Sequence, residues 1–163
     1  MLTREQFLPH EMRIVAALRM QGASDEQVIV RVKSENLFQY PTERMVANRA
    51  TVCLRRLDAM VPTDAICAAR GIDPKTAVEA ASSLTRLMAS GTPTQADQAI
   101  FYSMICRYDI VRELVLVEVG ERLQNFDYAF TAVDLNAFMT RFTTEYPDAA
   151  RWTEATVKRI KGS

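Results

Sequence analysis

Apolar residues recur along this chain at spacings of three and four, whereas the apolar–polar alternation of a β-strand is nearly absent. Helix-start signals precede several of these segments. Ser24, with Gln27 three residues later, has the pattern of a capping box, and Thr131 with Asp134 starts a later helix. Pro9 suits the first turn of another. The pattern predicts an all-α, compact multi-helix globular fold.

The segment with the most clearly separated faces is predicted to be a helix over residues 41–59. It follows a helix that runs from Ser24 to near Glu35, and Pro41 separates the two because the residue before proline disfavours the α region. Two opposite stripes share the spacing i, i+4, i+7, i+11. The apolar stripe is Val46, Ala50, Cys53 and Leu57, and the polar stripe is Arg44, Asn48, Thr51 and Arg55.

Large apolar residues are densest over residues 95–123, which are predicted to form the central core. The pattern predicts either two helices that meet near Tyr108 or one long bent helix. A helix from Thr131 to about Tyr146 and a final helix over 154–160 follow. We predict an N-terminal helical region over 1–60 and a C-terminal helical region over 61–163, each with a helix-turn-helix, joined in one compact unit.

Composition limits the classes of partner. Of the 163 residues, 48% are apolar and 25% charged, which is normal for a soluble globular protein. The formal net charge is zero, so the chain carries no global positive field of the kind that attracts polyanions. Any nucleic-acid site must therefore be a local patch.

Candidate chemistry is sparse. The three cysteines are widely spaced and His10 is the only histidine, so a zinc site lacks ligands. Reduced, buried thiols fit a cytoplasmic protein. Neither a signal peptide nor an apolar segment long enough to span a bilayer is visible, and no glycine-rich phosphate loop or nucleophile motif occurs. We expect no enzyme activity, no cofactor, no small-molecule substrate and no membrane partner.

Nucleic-acid binding remains as the functional hypothesis. Arginine pairs with guanine and asparagine with adenine in the major groove, while other cations and helix N-termini contact phosphate. The alternative interpretation is that these residues only solubilise amphipathic helices. The candidate DNA-binding residues are Thr42, Arg44, Asn48, Arg49, Arg55, Arg56, Thr153, Lys158, Arg159 and Lys161.

A short internal repeat supports two DNA-binding helical elements. An aromatic residue, a Thr-Glu pair and then apolar and basic residues occur in YPTERMVANR at 40–49 and in WTEATVKRIK at 152–161. Each follows a helix and a break, as in a helix-turn-helix, where the second helix enters the major groove.

Three stretches also resemble a known family, the BrxA proteins of bacteriophage-exclusion (BREX) defence systems. They are NLFQYPTERMVANRATVCLRRLDAM, ADQAIFYSMICRYDIVRELVLVEV and FTAVDLNAFMTRFTTEYPDAARWTEATVKRIK, and the likeness runs from Leu8 to Lys161. The first and third are fairly specific because they are not generic helix sequence.

The resemblance implies an all-α, non-enzymatic protein that binds double-stranded DNA through helix-turn-helix elements at Ser24–Arg56 and Thr131–Lys161. It also implies a setting beside BREX components that methylate host DNA and block phage replication. The family has been likened to an RNA-binding antitermination factor, so RNA stays open as a partner. A further alternative is an adaptor that docks onto other BREX proteins through its basic helices.

Overall fold

The computed structural model describes residues 7–162, which form a series of helices joined by short connections and contain no strand, so the predicted all-α fold is confirmed. Residues 1–6 and Ser163, which the predicted regions include, lie outside the described residues. The helices are α1 (Pro9–Met20), α2 (Asp25–Ser34), α3 (Glu43–Asp58), α4 (Asp64–Arg70), α5 (Pro74–Ser90), α6 (Pro93–Arg107), α7 (Asp109–Arg112), a π-helical segment (Glu113–Val119), α8 (Gly120–Gln124), α9 (Ala132–Glu145), a 3-10 turn (Ala149–Arg151) and α10 (Glu154–Lys161).

Tertiary contacts divide the described chain into two compact units, residues 7–107 and residues 108–162. The sequence predicts a boundary after residue 60 instead. The division falls later because α5 packs against α1, and α6 packs against α1, α3 and α5. The helices that follow residue 60 thus complete a core that α1 to α3 begin.

The core of the first unit forms around α1, which contacts α2, α3, α5 and α6. Apolar side chains from all five helices are removed from water there, and such burial is the main favourable term in folding. The side chains with no exposed surface include Met12, Val15, Val28, Val32, Ala50, Cys53, Met88 and Ile100.

The helix α3 begins two residues later than the sequence predicts. Thr42 has extended backbone angles, φ −135° and ψ 143°, and its hydroxyl oxygen accepts a hydrogen bond from the Met45 amide at 3.3 Å. Pro41 and Thr42 thus lead into the helix as its N-cap region instead of forming its first turn. The predicted apolar stripe is buried at all four positions.

A break at Tyr108, with φ −118° and ψ 114°, separates α6 from α7 and confirms the two-helix alternative. The expectation that residues 95–123 form the central core is wrong for their second half, since no residue of the π-helical segment is buried. A π turn holds more residues than an α turn. Apolar positions at α-helical spacing therefore do not stay on one face there.

The second unit is built on aromatic side chains of α9. Phe138 and Phe142 are buried, with ring centroids 5.8 Å apart, and the Phe142 ring stacks on Tyr146 at 4.2 Å. The predicted start at Thr131 is confirmed as a capping box, in which the Thr131 hydroxyl accepts from the Asp134 amide and the Asp134 carboxylate accepts from the Thr131 amide.

Candidate nucleic-acid interface

The connection before α3 is held in place by side chains. Asn36 adopts a positive φ of 44°, and its amide group donates to the Tyr40 carbonyl at 3.1 Å and accepts from the Tyr40 amide at 3.2 Å. The Tyr40 hydroxyl donates to the Glu11 carboxylate of α1, and this hydrogen bond raises the pKa of Tyr40. Phe38 is buried in the core. The entry to α3 is therefore fixed against α1.

The polar stripe of α3 faces solvent. Each helical residue turns the side-chain direction by about 100°, which places Asn48 about 40° and Arg55 about 20° from Arg44 around the axis. All three side chains are exposed, and Thr51 between them is half-buried. We call Arg44, Asn48 and Arg55 the α3 face. This grouping is the one that the i, i+4, i+11 spacing predicts.

The other two predicted arginines of α3 do not belong to that face. Arg56 is wholly buried, and its guanidinium donates to the Phe7 carbonyl at 3.0 Å, so the prediction that it contacts phosphate is wrong for this structure. Arg49 is half-buried. Both lie about 120° to 140° from Arg44 around the helix, beside the buried stripe. Their position on the flank explains why both are less exposed than Arg44 and Arg55.

Acidic side chains do not neutralise the α3 face. Glu43 at the start of the helix pairs with Lys33 of α2 at 3.2 Å. Within residues 7–162, no carboxylate forms an ion pair with Arg44 or Arg55. These two guanidinium groups are therefore available to an anionic partner.

The last helix repeats the local chemistry of α3. Thr153 is its N-cap, and the hydroxyl oxygen accepts from the Thr156 amide at 3.3 Å, just as Thr42 caps α3. A threonine that caps in this way still has its hydroxyl proton to donate, which a phosphate oxygen can accept. Thr42 therefore keeps one donor for an anion. The Thr153 hydroxyl also lies 3.1 Å from the Thr156 hydroxyl, and either of these two oxygens can be the donor.

The basic residues of α10 divide between two sides. Lys158 and Lys161 share a stripe with Glu154 and Val157, at the spacing i, i+3, i+4, i+7, while Arg159 points about 100° away from Lys158. All three cations are exposed. The predicted grouping of these three residues therefore holds for the two lysines but not for Arg159.

The stripe of α10 forms one wall of an open groove of about 440 Å³, here called the α10 groove. The Lys161 ammonium donates to the Asn136 side chain of α9 at 2.6 Å, and Trp152 packs against Phe142 with centroids 5.9 Å apart. The lining residues are Thr143, Ala149, Ala150, Trp152, Glu154, Val157, Lys158 and Lys161.

Sequence reasoning did not predict the groove. The i, i+3, i+4, i+7 spacing from Glu154 to Lys161 was visible and indicates one stripe, but its opposite wall comes from the end of α9 and the 3-10 turn. Only the folded chain brings these elements together. Trp152 is half-buried and contributes to both the aromatic core and the groove.

A rigid aromatic loop before α9 was also missed. Phe126 is 79% exposed and Tyr128 is 74% exposed. Arg122 holds their loop, because its guanidinium donates to the Asp127 carboxylate at 2.7 Å, the Ala129 carbonyl at 2.8 Å and the Asp134 carboxylate at 2.7 Å. We call residues 125–131 the aromatic loop.

The two helix pairs occur where a helix-turn-helix was predicted, with longer connections than usual. Residues 35–42 join α2 to α3, and residues 146–153 join α9 to α10. Both exceed the three or four residues of a standard helix-turn-helix turn. The first has two left-handed residues, Asn36 and Gln39, and the second contains the 3-10 turn.

Two further features bear on the class of site. Within residues 7–162, no group of three or more His, Cys, Asp or Glu side chains is placed to hold a metal ion. In the same part of the chain, none of the helices has both the length and the apolar character required to cross a bilayer.

Comparison with known proteins identifies the family. No curated protein and no solved structure matches the chain. The model of one protein family, BrxA, matches residues 1–163, which is the whole length. The chain therefore belongs to the BrxA family of BREX phage-defence proteins.

Proposed function

We propose that the chain is a non-enzymatic accessory protein of a BREX system that binds double-stranded DNA through the α3 face. One observation carries the proposal: two exposed guanidinium groups and an exposed asparagine amide lie along one side of a helix whose opposite side is buried, and no described carboxylate pairs with the arginines. These side chains match the hydrogen-bonding groups of guanine, adenine and phosphate.

The basic residues of α10 supply a further contact in this proposal. Thr153 and the exposed Lys158, Arg159 and Lys161 form a cationic helix end whose partners are phosphate oxygens. Because the net charge of the whole chain is zero, affinity depends on these local patches and falls steeply with salt through counterion release.

Duplex binding is measured by fluorescence anisotropy at about 50 mM and about 200 mM salt, a range over which phosphate contacts lose most of their strength. The double variant Arg44→Ala/Arg55→Ala is expected to bind at least about tenfold more weakly, with a salt slope lower by about 2. A double variant Arg70→Ala/Arg86→Ala removes the same charge from two other exposed positions of the first unit and serves as the control.

Equal affinity of the α3-face variant and the wild type would contradict the proposal. A matching loss in the control variant would do so too, because it would indicate a general charge effect instead of a contact. Tighter binding of an RNA duplex than of a DNA duplex in the same assay would favour the RNA alternative.

The aromatic loop favours a second candidate, an adaptor role toward other BREX proteins. Exposed aromatic side chains on a fixed loop are enriched at protein interfaces, where they supply contact area at low entropic cost. We expect Phe126→Ala/Tyr128→Ala to reduce nuclease-insensitive co-purification with the other BREX proteins while leaving duplex affinity unchanged. Co-purification that disappears on nuclease treatment would contradict the adaptor role.

A further inference from the structure

The α10 groove has the size and the two-part chemistry of a ligand site. Its volume of about 440 Å³ lies within the range of about 300–1,000 Å³ that is usual for small-ligand sites. An aromatic ring, Trp152, lies on its wall beside the start of α10, and two ammonium groups lie further along the same helix. The lining thus changes from aromatic and acidic to basic along the groove.

The separation of these groups suits a nucleotide. Lys158 and Lys161 follow Glu154 by four and seven residues, which is about 6 Å and about 10 Å along the helix axis. A nucleotide carries a flat base at one end and a phosphate one sugar away at the other. The base therefore fits beside Trp152 when the phosphate lies at the lysine end.

Charge fixes that orientation. The Glu154 carboxylate repels a phosphate from the Trp152 end, and it can accept hydrogen bonds from the amino group of cytosine or adenine. The Lys161 ammonium donates one bond to Asn136, which positions it and leaves two donors for an anion. Trp152 is held by its contact with Phe142, so its ring is a fixed surface for a base.

We infer that the α10 groove binds one unpaired nucleotide of a single DNA strand, with its base against Trp152 and its phosphate at Lys158 and Lys161. This inference rests on the proposed function, because it assigns part of the DNA contact to α10, and it adds that the strand is unpaired there. A paired base stays stacked inside the duplex and cannot reach a side chain in a groove. Base–aromatic stacking is the usual means of holding single strands.

The chain itself carries the reporter, since Trp152 is its only tryptophan. The full chain is titrated with a cytosine- and adenine-rich single-stranded DNA of twelve nucleotides, with the duplex of the same sequence, with free deoxycytidine monophosphate and with an acidic peptide. The single strand is expected to quench the Trp152 emission in a saturable way. The other three probes are expected to leave it nearly unchanged at the same concentrations, the duplex because its phosphates can contact α10 while its stacked bases do not reach Trp152.

Single substitutions measure the separate contributions of Lys158 and Trp152 to binding. Lys158 is exposed, so Lys158→Ala is expected to fold normally and to raise the dissociation constant of the single strand about three- to tenfold, as one lost phosphate contact does. The exposed Lys75 of the other unit supplies the matched control, Lys75→Ala, which is expected to bind as the wild type does. Trp152→Ala, followed with a labelled strand, is expected to bind about tenfold more weakly.

The inference is overturned if the single strand leaves the emission unchanged, if the duplex, the mononucleotide or the peptide quenches with equal or greater affinity, or if Lys158→Ala binds the strand as tightly as Lys75→Ala. The variant Arg44→Ala/Arg55→Ala distinguishes failure of this inference from failure of the proposed function. It is expected to lose duplex affinity while retaining the quenching by the single strand.

Discussion

At the residue scale, the contact between Tyr40 and Glu11 governs how the start of α3 is held. Glu11 is buried at 7% exposure, and its carboxylate accepts the Tyr40 hydroxyl. A buried carboxylate that loses its donor keeps the cost of leaving water without the compensating bond. The pair therefore matters more for stability than an exposed hydrogen bond of the same kind.

Tyr40→Phe removes this donor and little else. We expect it to lower the free energy of unfolding by about 1–3 kcal/mol, the usual cost of leaving a buried polar group unsatisfied. Urea unfolding followed by circular dichroism measures the change. Tyr128→Phe is the control, because that side chain is 74% exposed and its loss is expected to leave stability unchanged.

The same contact sets a dependence on pH. The hydrogen bond to Glu11 raises the pKa of Tyr40 above its usual value of 10.0, so the folded chain retains the phenol proton at pH values where the unfolded chain has lost it. This contribution to stability is complete below pH 10 and is lost as the pH rises through the folded-state pKa. The stability difference between wild type and Tyr40→Phe is therefore expected to shrink above pH 10.

Single-residue predictions succeeded where the cause is local in the sequence. The capping box of Ser24 and Gln27 involves partners three residues apart, so the sequence alone is sufficient to identify it. The burial of Arg56 depends on the Phe7 carbonyl, 49 positions away along the chain. No pattern within α3 could reveal that partner. The position of Arg56 beside the apolar stripe does, however, indicate that its side chain is less exposed than those of Arg44 and Arg55.

At the element scale, the aromatic loop depends on one side chain. Arg122 donates to three acceptors around the loop, and its guanidinium also lies 5.5 Å from the centre of the Phe130 ring. A planar fork with several donors suits this arrangement, whereas a lysine would supply only one charged point. The loop is therefore ordered by arginine geometry more than by charge.

We expect Arg122→Ala to speed amide hydrogen exchange across residues 125–131 by at least about tenfold, because local opening is governed by such contacts. Arg122→Lys is expected to restore little of the protection. Exchange in α3 should be unchanged in both variants, and Arg151→Ala, at an exposed position, provides the control. Unchanged exchange in the loop would show that its backbone alone keeps it ordered.

Elements were predicted well where caps and apolar stripes agree, as in α2, α3 and α9. The π-helical segment was not predicted, because Glu113–Val119 contains no proline or glycine that would indicate an irregular turn. The α10 groove was missed because one of its walls is contributed by a different element.

At the scale of the whole molecule, the packing of α5 against α1 determines which parts of the chain can fold alone. A piece that contains residues 1–107 keeps α1 together with α2, α3, α5 and α6, whereas a piece that ends at residue 60 lacks α5 and α6. The exposed apolar side of α1 in the shorter piece would have to meet water.

We expect residues 1–107 to unfold cooperatively in urea and residues 1–60 to show no cooperative transition. Circular dichroism and tryptophan-independent probes such as tyrosine emission can follow both, since the only tryptophan lies in the other unit. Cooperative folding of residues 1–60 would instead support the boundary that the sequence suggested.

The bond between Tyr40 and Glu11 has a consequence for reading mutational data. The helix that carries Arg44 is oriented by a residue of α1, through a side chain in the connection that precedes it. Substitutions in α1, which touch no DNA in this scheme, should tilt the arginines and weaken recognition at a distance. A genetic screen for loss of binding would then identify residues that orient α3 as well as residues that contact DNA.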